Sequence, residues 1–461
     1  MGCSAVTIAG THALKIPTHV GLRSLDLRNH RRLTVRLFNT LTQSLEPFHP
    51  QGTHVGVYVC GITPYDTTHL GHAFTYAWAD ILVRTLEHMG HLVRYVQNVT
   101  DIDDDILRKA KELGQDWRDV VGQWTTHFIR DLIELNVRPP DHYPKATEMI
   151  PEIIRSVQCL MDAGVAYVAG GSVYFDLAAW PDFGKLSSLL RGEMLPLANQ
   201  RGNRPDDPHK HDPLDFVLWQ AQAPGEPAWE SPWGPGRPGW HIECSTMSRA
   251  LLGGTVDIHG GGADLVFPHH ECELAQVEPC NRGTPFVRLW MHTAMVRHQG
   301  EKMSKSLGNL VMVRELLKDW SADGIRLYLA AHHYRAPWEH NPDELGQAQS
   351  LARKISRAAT TPGGARRIFD AGQARSSFIG AMQDDLNAPA AIAVLEKLAE
   401  DTLVAADNGR RVADAQSTLR SLSSVLGLRL DTERPEARVV EGWETHLERF
   451  VSEKRPKQPT D

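Results

Sequence analysis

The sequence predicts an α/β protein with a doubly wound parallel sheet, an insertion within it and a C-terminal helical domain. A short β-branched run at residues 55–59, a helical pattern at about 73–89 and an apolar run at 91–98 follow one another. This order predicts a β-α-β unit with a right-handed crossover, the building block of doubly wound sheets. The pattern from about 343 to 426 is long, helical and rich in Ala and Leu, which predicts the helical domain.

The segment between the two parts of the predicted sheet has a different character. Residues 115–170 are predicted to be helical with breaks at prolines, and residues 171–176 to form a short strand. Residues 190–240 are rich in Pro, Gly, Trp and His, which is typical of loops within an insertion. The sheet is expected to resume at residues 256–259, followed by a helix at about 268–278.

Length and composition bound the class of protein. With 461 residues, 41% hydrophobic and 23% charged, the chain is expected to form two or three domains of an ordinary globular protein. No apolar run approaches the length of a membrane span. The net charge of −7 argues against a generally basic protein that coats nucleic acid. The six cysteines have neither C-x-x-C spacing nor the density of a secreted scaffold, so a reducing cytoplasm is the expected location.

Two polar stretches have the properties of phosphate-binding sites. His69 and His72 lie where the first predicted strand leads into the following helix, and the free N–H groups at a helix N-terminus bind phosphate well. The loop at residues 300–309 is bounded by a glycine and carries Lys302 and Lys305 before another predicted helix. Two ammonium groups at this spacing can close over a triphosphate.

Four residues form a candidate metal site. His269 and Glu273 lie four positions apart on one predicted helix, so both side chains can point at one ion. Cys60 ends the first predicted strand, and Cys244 lies shortly before the sheet is expected to resume. Two thiolates, an imidazole and a carboxylate suit tetrahedral zinc. His270, three positions from Glu273, is the alternative imidazole ligand.

The two phosphate-binding stretches resemble the ATP signatures of class I aminoacyl-tRNA synthetases, and they read His69-Leu-Gly-His72 and Lys302-Met-Ser-Lys305-Ser306. Further motifs resemble the cysteinyl-tRNA synthetase family, and they lie at residues 57–61, 98–104, 215–219, 238–245 and 259–271. The resemblance extends from about Leu37 to the early 400s. It implies that zinc is bound by the family's matching residues, Cys60, Cys244, His269 and Glu273. Zinc would bond the thiolate of cysteine directly, which the hydroxyl of serine cannot imitate.

The resemblance also implies a domain organisation. A class I synthetase Rossmann-like catalytic domain is expected at residues 35–340. It would include a connective insertion at about 150–236 and, at 297–340, a KMSKS loop with a stem-contact region. The helical domain is expected at residues 341–430.

The two ends of the chain are expected to lie outside these domains. Residues 1–34 hold several Arg and His and a single acid, and they are predicted to be a disordered N-terminal extension. Residues 431–461 are predicted to be a charged, frayed tail. The usual anticodon-binding module of the family would then be truncated.

The implied reaction is ATP-dependent activation of L-cysteine to cysteinyl-adenylate, with Mg²⁺ accompanying ATP, followed by transfer to tRNA(Cys). The residues expected to stabilise charge on the phosphates are His69, His72, Lys302 and Lys305. The residues expected to contact ATP are Thr63, His69, Gly71, His72, His259, Asp264, Lys302, Ser304 and Lys305. Trp240 and Thr100 are expected to hold the amino acid, with core packing and helix capping as their respective alternatives.

The acceptor of the activated cysteine has two candidates. Residues 61–72 are closer to the mycothiol-pathway cysteine ligase, which joins cysteine to the amine of glucosaminyl-inositol and also has a short C-terminus. Glu273, residues 271–276 and residues 206–219 resemble the synthetase instead, so tRNA(Cys) is the favoured acceptor. A non-catalytic paralogue would have lost the histidines, lysines or zinc ligands, all of which are intact. A monomer is expected.

Overall fold

The computed structural model describes residues 34–50, 52–65, 68–281, 283–303, 307–430 and 434–451. These residues belong to one compact unit that begins at Thr34. The predicted extension up to residue 33, together with Ser304 and Lys305, lies outside the described residues. Within the described part of the chain, none of the helices has the length and apolar character needed to cross a membrane.

The strands of the described residues are numbered in chain order. They are β1 (Val35–Asn39), β2 (Ser44–Phe48), β3 (His54–Ile62), β4 (Leu92–Val99), β5 (Ala166–Ala169), β6 (Ser172–Phe175), β7 (Phe216–Ala221), β8 (Gly236–Pro238), β9 (Val256–Gly262), β10 (Val287–Thr293), β11 (Val296–His298), β12 (Glu301–Lys302), β13 (Trp338–Glu339), β14 (Arg366–Ile368) and β15 (Arg410–Arg411).

The α-helices are numbered in the same way. They are α1 (Leu70–His88), α2 (Asp104–Leu113), α3 (Trp117–Glu134), α4 (Ile150–Asp162), α5 (Arg191–Asn199), α6 (Trp240–Leu252), α7 (Glu271–Val277), α8 (Val313–Asp319), α9 (Ala322–Ala330), α10 (Pro342–Thr360), α11 (Gly372–Gln383), α12 (Ala388–Asp407), α13 (Ala413–Val425) and α14 (Ala437–Val451).

A parallel sheet of strand order β10-β9-β3-β4 forms the centre of the catalytic part. Val57 of β3 pairs with Tyr95 of β4 on one side and with Ile258 of β9 on the other, and all three side chains are buried. Strands covered on both faces read as continuous apolar runs, which is why residues 55–59 predict this strand. The predicted parallel α/β fold is confirmed.

Helix α1 connects β3 to β4 and begins three residues before the predicted start. His69 caps it, because its ring Nδ1 accepts a hydrogen bond from the N–H of Gly71 at 3.1 Å. A residue distant in the sequence also holds the first turn, since the N–H of Leu70 donates to the carbonyl of Val311 at 2.8 Å. This contact joins the start of α1 to the segment that follows the KMSKS loop.

A second, antiparallel sheet of order β5-β6-β7-β8 follows the first β-α-β unit. The expectation that residues 190–240 are loops is wrong for α5, β7 and β8. In β7 the ring of Trp219 is fully buried, and its backbone pairs with Val173 of β6 and Pro238 of β8. Pairing with distant strands overrides the loop-like local composition.

The helical domain packs directly on the catalytic part. Helices α10, α12 and α13 share an apolar cluster with α1 and the central sheet. Asp385, in the turn before α12, connects the domain to β1. Its carboxylate accepts hydrogen bonds from the N–H of Phe38 at 2.9 Å and the hydroxyl of Tyr334 at 2.6 Å.

Two observations differ from the sequence predictions. The expected frayed tail is wrong for α14, because Val439 and Trp443 are buried and the indole N–H of Trp443 donates to the carbonyl of Val137 at 2.9 Å. A disulfide joins Cys159 and Cys280, which are 121 residues apart. Their spacing in the sequence gives no signal for this pairing.

Candidate active site and metal centre

A cavity of about 1090 Å³ opens at the carboxyl ends of the parallel strands, where ligands bind in doubly wound folds. Predicted site residues that line it are Cys60, Thr63, His69, Gly71, His72, Trp240, Asp264 and Lys302. The fold therefore brings His69 and His72 of the first phosphate-binding motif, Lys302 of the second and one candidate metal ligand to a single cavity.

His69 and His72 stand at the N-terminus of α1. Their rings are stacked with centroids 3.9 Å apart. Gly71 makes room for this arrangement, because a Cβ atom there would lie 3.0 Å from the ring of His69. The imidazoles and the N–H groups of the first helical turn can together hold the oxygens of a phosphate.

Lys302 reaches the same cavity from β12. Its Nζ lies 3.1 Å from Oδ2 of Asp264, and Nη1 of Arg201 lies 3.3 Å from the same oxygen. Burial alone would raise the pKa of Asp264, but the charges of Lys302 and Arg201 outweigh it and lower the pKa. Asp264 thus holds the ammonium group of Lys302 at the cavity wall.

The four predicted metal ligands come together at the inner end of this cavity. One ligand atom from each of Cys60, Cys244, His269 and Glu273 lies within 4.8 Å of all the others, and the four residues are buried. Oε1 of Glu273 is 3.4 Å from Sγ of Cys60 and 3.0 Å from Nε2 of His269. Cys60 comes from β3, Cys244 from α6, His269 from the kinked turn Val266–His270, and Glu273 from α7.

The cluster combines buried groups of opposite charge. Burial would raise the pKa of the Cys244 thiol, but a hydrogen bond with Cys60 and the charge of His269 lower it to about 6. Burial would lower the pKa of His269, but the charges of Glu273 and Cys244 raise it to about 10. The pocket therefore stabilises a thiolate and a carboxylate next to a positive charge.

A second set of donors shares two members with the first. Ligand atoms of Cys60, His259, His270 and Glu273 also lie within 4.8 Å of one another. Nε2 of His270 is 3.2 Å from Sγ of Cys60, and its Nδ1 is 2.7 Å from Nε2 of His292. The alternative that the sequence left open for His270 is therefore geometrically available.

His259 lies at this cluster and does not line the cavity. Its Nε2 is 3.7 Å from Sγ of Cys60 and 3.4 Å from Oε2 of Glu273, and the residue is fully buried. The contact with ATP predicted for His259 stays a prediction. The residue instead belongs to the ring of imidazoles around the candidate metal site.

Trp240 and Thr100 occupy different positions relative to the cavity. The ring of Trp240 stacks on that of His269, with centroids 4.4 Å apart, and faces the cavity. Thr100 is buried after β4, and its N–H donates to the carbonyl of Ile62 at 3.0 Å. Trp240 thus stands between the cavity and the cluster, whereas Thr100 lies behind the cavity wall.

The donor set fits zinc. Two thiols, one imidazole and one carboxylate are ligands that zinc takes in tetrahedral sites, and all four are shielded from water here. The first set suits zinc better than the second because it supplies two soft sulfur donors. His241 supports it, since its Nδ1 is 2.9 Å from Nδ1 of His269, which leaves Nε2 of His269 facing the cluster.

Three residues of the site were not predicted from the sequence. Arg201 follows α5 in the insertion, and His241 and His292 lie in α6 and β10. An arginine in a loop is usually solvated, so Arg201 has no local signal. His241 lies next to Trp240 and three positions before Cys244, a spacing that could have marked it.

Comparison with protein families matches residues 47–350 to the catalytic domain of tRNA synthetases class I (C). The chain belongs to this family. It is therefore a ligase with a class I synthetase catalytic domain. Residues 377–431 of the synthetase match the DALR domain, a range that begins within α11 and includes α12 and α13 of the helical domain.

Curated relatives of the synthetase include two kinds of ligase. A "Cysteine--tRNA ligase" of Alkalilimnicola ehrlichii is 46% identical over 86% of this chain and 86% of its own length. An "L-cysteine:1D-myo-inositol 2-amino-2-deoxy-alpha-D-glucopyranoside ligase" of Thermomonospora curvata is 43% identical over 86% of this chain and 95% of its own length. The two kinds of relative are therefore similar to this chain to nearly the same degree.

A solved structure supports the fold of the synthetase. Mycobacterium tuberculosis methionyl-tRNA synthetase in complex with methionyl-adenylate aligns with a TM-score of 0.57 at 15% identity, over 81% of this chain and 90% of that chain. At this identity the likeness concerns the fold alone.

Proposed function

We propose that this synthetase is a cysteine–tRNA ligase. It activates L-cysteine with ATP to cysteinyl-adenylate and diphosphate, and then transfers the cysteinyl group to tRNA(Cys). The observation that carries the proposal is the buried cluster of two thiols, an imidazole and a carboxylate at the inner end of the cavity that His69, His72 and Lys302 line. A thiol-selective site and a phosphate site in one cavity suit activation of cysteine.

In this proposal Cys60, Cys244, His269 and Glu273 hold one zinc ion. The zinc supplies a soft Lewis acid that a thiolate coordinates and a hydroxyl does not. A purely hydrophobic pocket would discriminate between cysteine and serine poorly, because the two differ little in shape. Trp240, stacked over His269, closes the pocket around the amino acid's side chain.

Activation requires no nucleophile from the protein. The carboxylate of cysteine attacks the α-phosphorus of ATP, the bond to the β-phosphate oxygen breaks, and diphosphate leaves. His69 and His72 hold phosphate oxygens at the start of α1, and Lys302 neutralises the charge that develops on the leaving group. Lys305, Ser304, Thr63 and Gly71 are proposed to complete the ATP site, with Mg²⁺ bound to the phosphates.

The acceptor proposed first is tRNA(Cys). Support comes from the DALR match at residues 377–431 and from the cysteine–tRNA ligases among the relatives at 46% identity. Glu273, present in the cluster, also follows the synthetase pattern. We further propose that the protein acts as a monomer in the cytoplasm.

A second candidate acceptor is the amine of glucosaminyl-inositol. It is favoured by the Thermomonospora curvata ligase, of which this chain covers 95%. The first half-reaction would be unchanged, since both acceptors would attack the same adenylate. The difference would lie in whether an ester on tRNA or an amide on a small molecule is formed.

A product assay tests the proposal. Purified protein is incubated with ATP and radiolabelled cysteine, with bacterial total tRNA in one sample and glucosaminyl-inositol in another. Acid-precipitable label on tRNA is the expected result. A small labelled amide without charged tRNA would move the protein to the second candidate, and the absence of cysteine-dependent ATP–pyrophosphate exchange would contradict activation itself.

A further inference from the structure

The disulfide Cys159–Cys280 connects two helices that the sequence separates widely. Cys159 lies in the last turn of α4, and Cys280 follows the end of α7 by three residues. Both cysteines are half-buried, so small thiols can reach the bond. The other cysteines of the described residues, Cys60, Cys244 and Cys272, are free and buried.

Helix α4 lies against the helix that supplies Cys244. The hydroxyl of Thr246 in α6 donates to the hydroxyl oxygen of Ser156 in α4 at 3.0 Å. Buried Val157 of α4 belongs to the same apolar cluster as Ile242 of α6 and Ala275 of α7. Packing therefore holds α4 across both helices that carry metal ligands, and the disulfide adds a covalent bond to one end.

Helix α7 is held independently at its other end. The carboxylate of Glu271 accepts hydrogen bonds from the N–H groups of Gly184 at 2.9 Å and Ser187 at 2.7 Å. The far end of α7 leads to Cys280, where the disulfide is the covalent restraint. Opening the disulfide would thus loosen one end of the helix that carries Glu273, while the end near Glu271 stays fixed.

We propose that Cys159–Cys280 is a thiol–disulfide switch that braces the metal centre, an inference that rests on the proposed zinc site. When the disulfide is formed, α4 fixes the position of α7 relative to α6, and the metal is retained. When the disulfide is reduced, the distance between Glu273 and Cys244 is less constrained, and the metal leaves faster.

Formation of the Cys159–Cys280 disulfide needs a low-molecular-weight disulfide as oxidant. The thiolate of one cysteine attacks a sulfur of that disulfide, forms a mixed disulfide and releases one small thiol. The second cysteine thiolate then attacks the protein sulfur and releases the other small thiol. Two protein thiols are oxidised and one small disulfide is reduced to two thiols. Reduction of the protein disulfide by small thiols follows the same steps in reverse.

The test combines thiol mapping with metal release. The full-length protein, loaded with zinc, is equilibrated with glutathione at different ratios of thiol to disulfide, alkylated and mapped by mass spectrometry. We expect a linked peptide containing Cys159 and Cys280 under oxidising conditions. Relative to this form, the reduced protein and the Cys159→Ser/Cys280→Ser double variant should release zinc to a chelator several-fold faster and unfold at a temperature lower by about 4 °C.

Gln158→Ala is the matched control, because this exposed residue lies on α4 next to Cys159 but forms no bridge. It should respond to glutathione as the wild type does, whereas the double variant should not respond at all. If both cysteines are alkylated under oxidising conditions, or if the bridge forms without changing zinc release, the switch is refuted. Cysteine-dependent ATP–pyrophosphate exchange, measured on the same samples, tests the proposed function separately.

Discussion

At the scale of single residues, the proposed metal ligands give the sharpest prediction. Cys244→Ser should abolish zinc binding, because serine removes one of two sulfur donors from a cluster whose ligand atoms lie within 4.8 Å of one another. Metal content is measured by atomic absorption after dialysis against a chelator. Cys272→Ala is the control, since Cys272 precedes Glu273 but does not belong to either donor set.

The same measurement separates the two imidazole candidates. If the first donor set binds the metal, His269 is a ligand and His270 only a neighbour of Cys60. His269→Ala should then abolish metal binding, whereas His270→Ala should reduce metal retention less. The reverse outcome would assign the metal to the second donor set, with Cys60, His259, His270 and Glu273.

Lys302 is predicted to act mainly on the transition state. Lys302→Ala should lower the rate of cysteine-dependent ATP–pyrophosphate exchange by about 10²–10³-fold, the usual effect of removing one charge-stabilising donor. Lys318→Ala is the control, because Lys318 is an exposed lysine paired with Glu315 in α8. Equal rates for the wild type and Lys302→Ala would contradict the phosphate role.

At the scale of secondary-structure elements, a buried ionic cluster ties α1 to α9. Asp80 of α1 is 2.9 Å from Nε of Arg84 and 2.6 Å from Nη2 of Arg326 in α9, and all three are buried. Burial would raise the pKa of Asp80, but the charges of the two arginines outweigh it and lower the pKa. Asp80 therefore stabilises the fold above its unfolded pKa of 3.8, and this contribution is lost as the pH falls through the folded value.

Asp80→Asn should be strongly destabilising, because it leaves the buried guanidinium of Arg326 without its carboxylate and leaves Arg84 paired with Glu436 alone. We expect a loss of about 3–5 kcal/mol in the free energy of unfolding, measured by urea denaturation at pH 7. The exposed Asp119→Asn in α3 should change it by less than about 0.5 kcal/mol. A small effect of Asp80→Asn would mean that solvent reaches this cluster.

The same scale shows which elements a sequence can predict. The strand at 55–59 and the helix after it were predictable because both have a strong apolar period and are buried in the sheet. The start of α1 was missed by three residues, since its cap depends on a histidine ring accepting from Gly71. Strand β7 was missed because its stability comes from pairing with β6 and β8 rather than from local composition.

At the scale of the whole molecule, the site combines residues that more than two hundred positions separate. Cys60 and Glu273 were predictable as partners because strand ends converge in a doubly wound sheet. Arg201 was not predictable, because its position depends on how the insertion folds back over the cavity. The contact of Lys302 with Asp264 was not predictable either, because the two residues lie 38 positions apart and meet only through the tertiary fold. The disulfide was unpredictable for the same reason, since α4 and the end of α7 meet only through tertiary packing.

The C-terminal helix α14 gives the prediction at this scale. Trp443 is fully buried, its ring packs edge-on against Tyr143 at 5.4 Å, and its N–H donates to Val137. These contacts cover residues 137–145, whose backbone bonds to β4, since the N–H of Val99 donates to the carbonyl of Pro144 at 2.9 Å. The C-terminal end of the chain therefore supports the strand that leads to Thr100.

Trp443→Ala should lower the free energy of unfolding by about 3–5 kcal/mol, because it removes a large buried side chain and leaves a cavity. Arg449→Ala on the same helix is the matched control. Its pair with Glu148 is partly exposed, so its removal should cost at most about 1 kcal/mol. Urea denaturation gives both values. If Trp443→Ala instead has the same free energy of unfolding as Arg449→Ala, the packing of α14 does not stabilise the catalytic part. If Trp443→Ala destabilises the protein as expected and also raises the KM for cysteine in pyrophosphate exchange, the support that α14 gives to β4 extends to the pocket proposed for the amino acid.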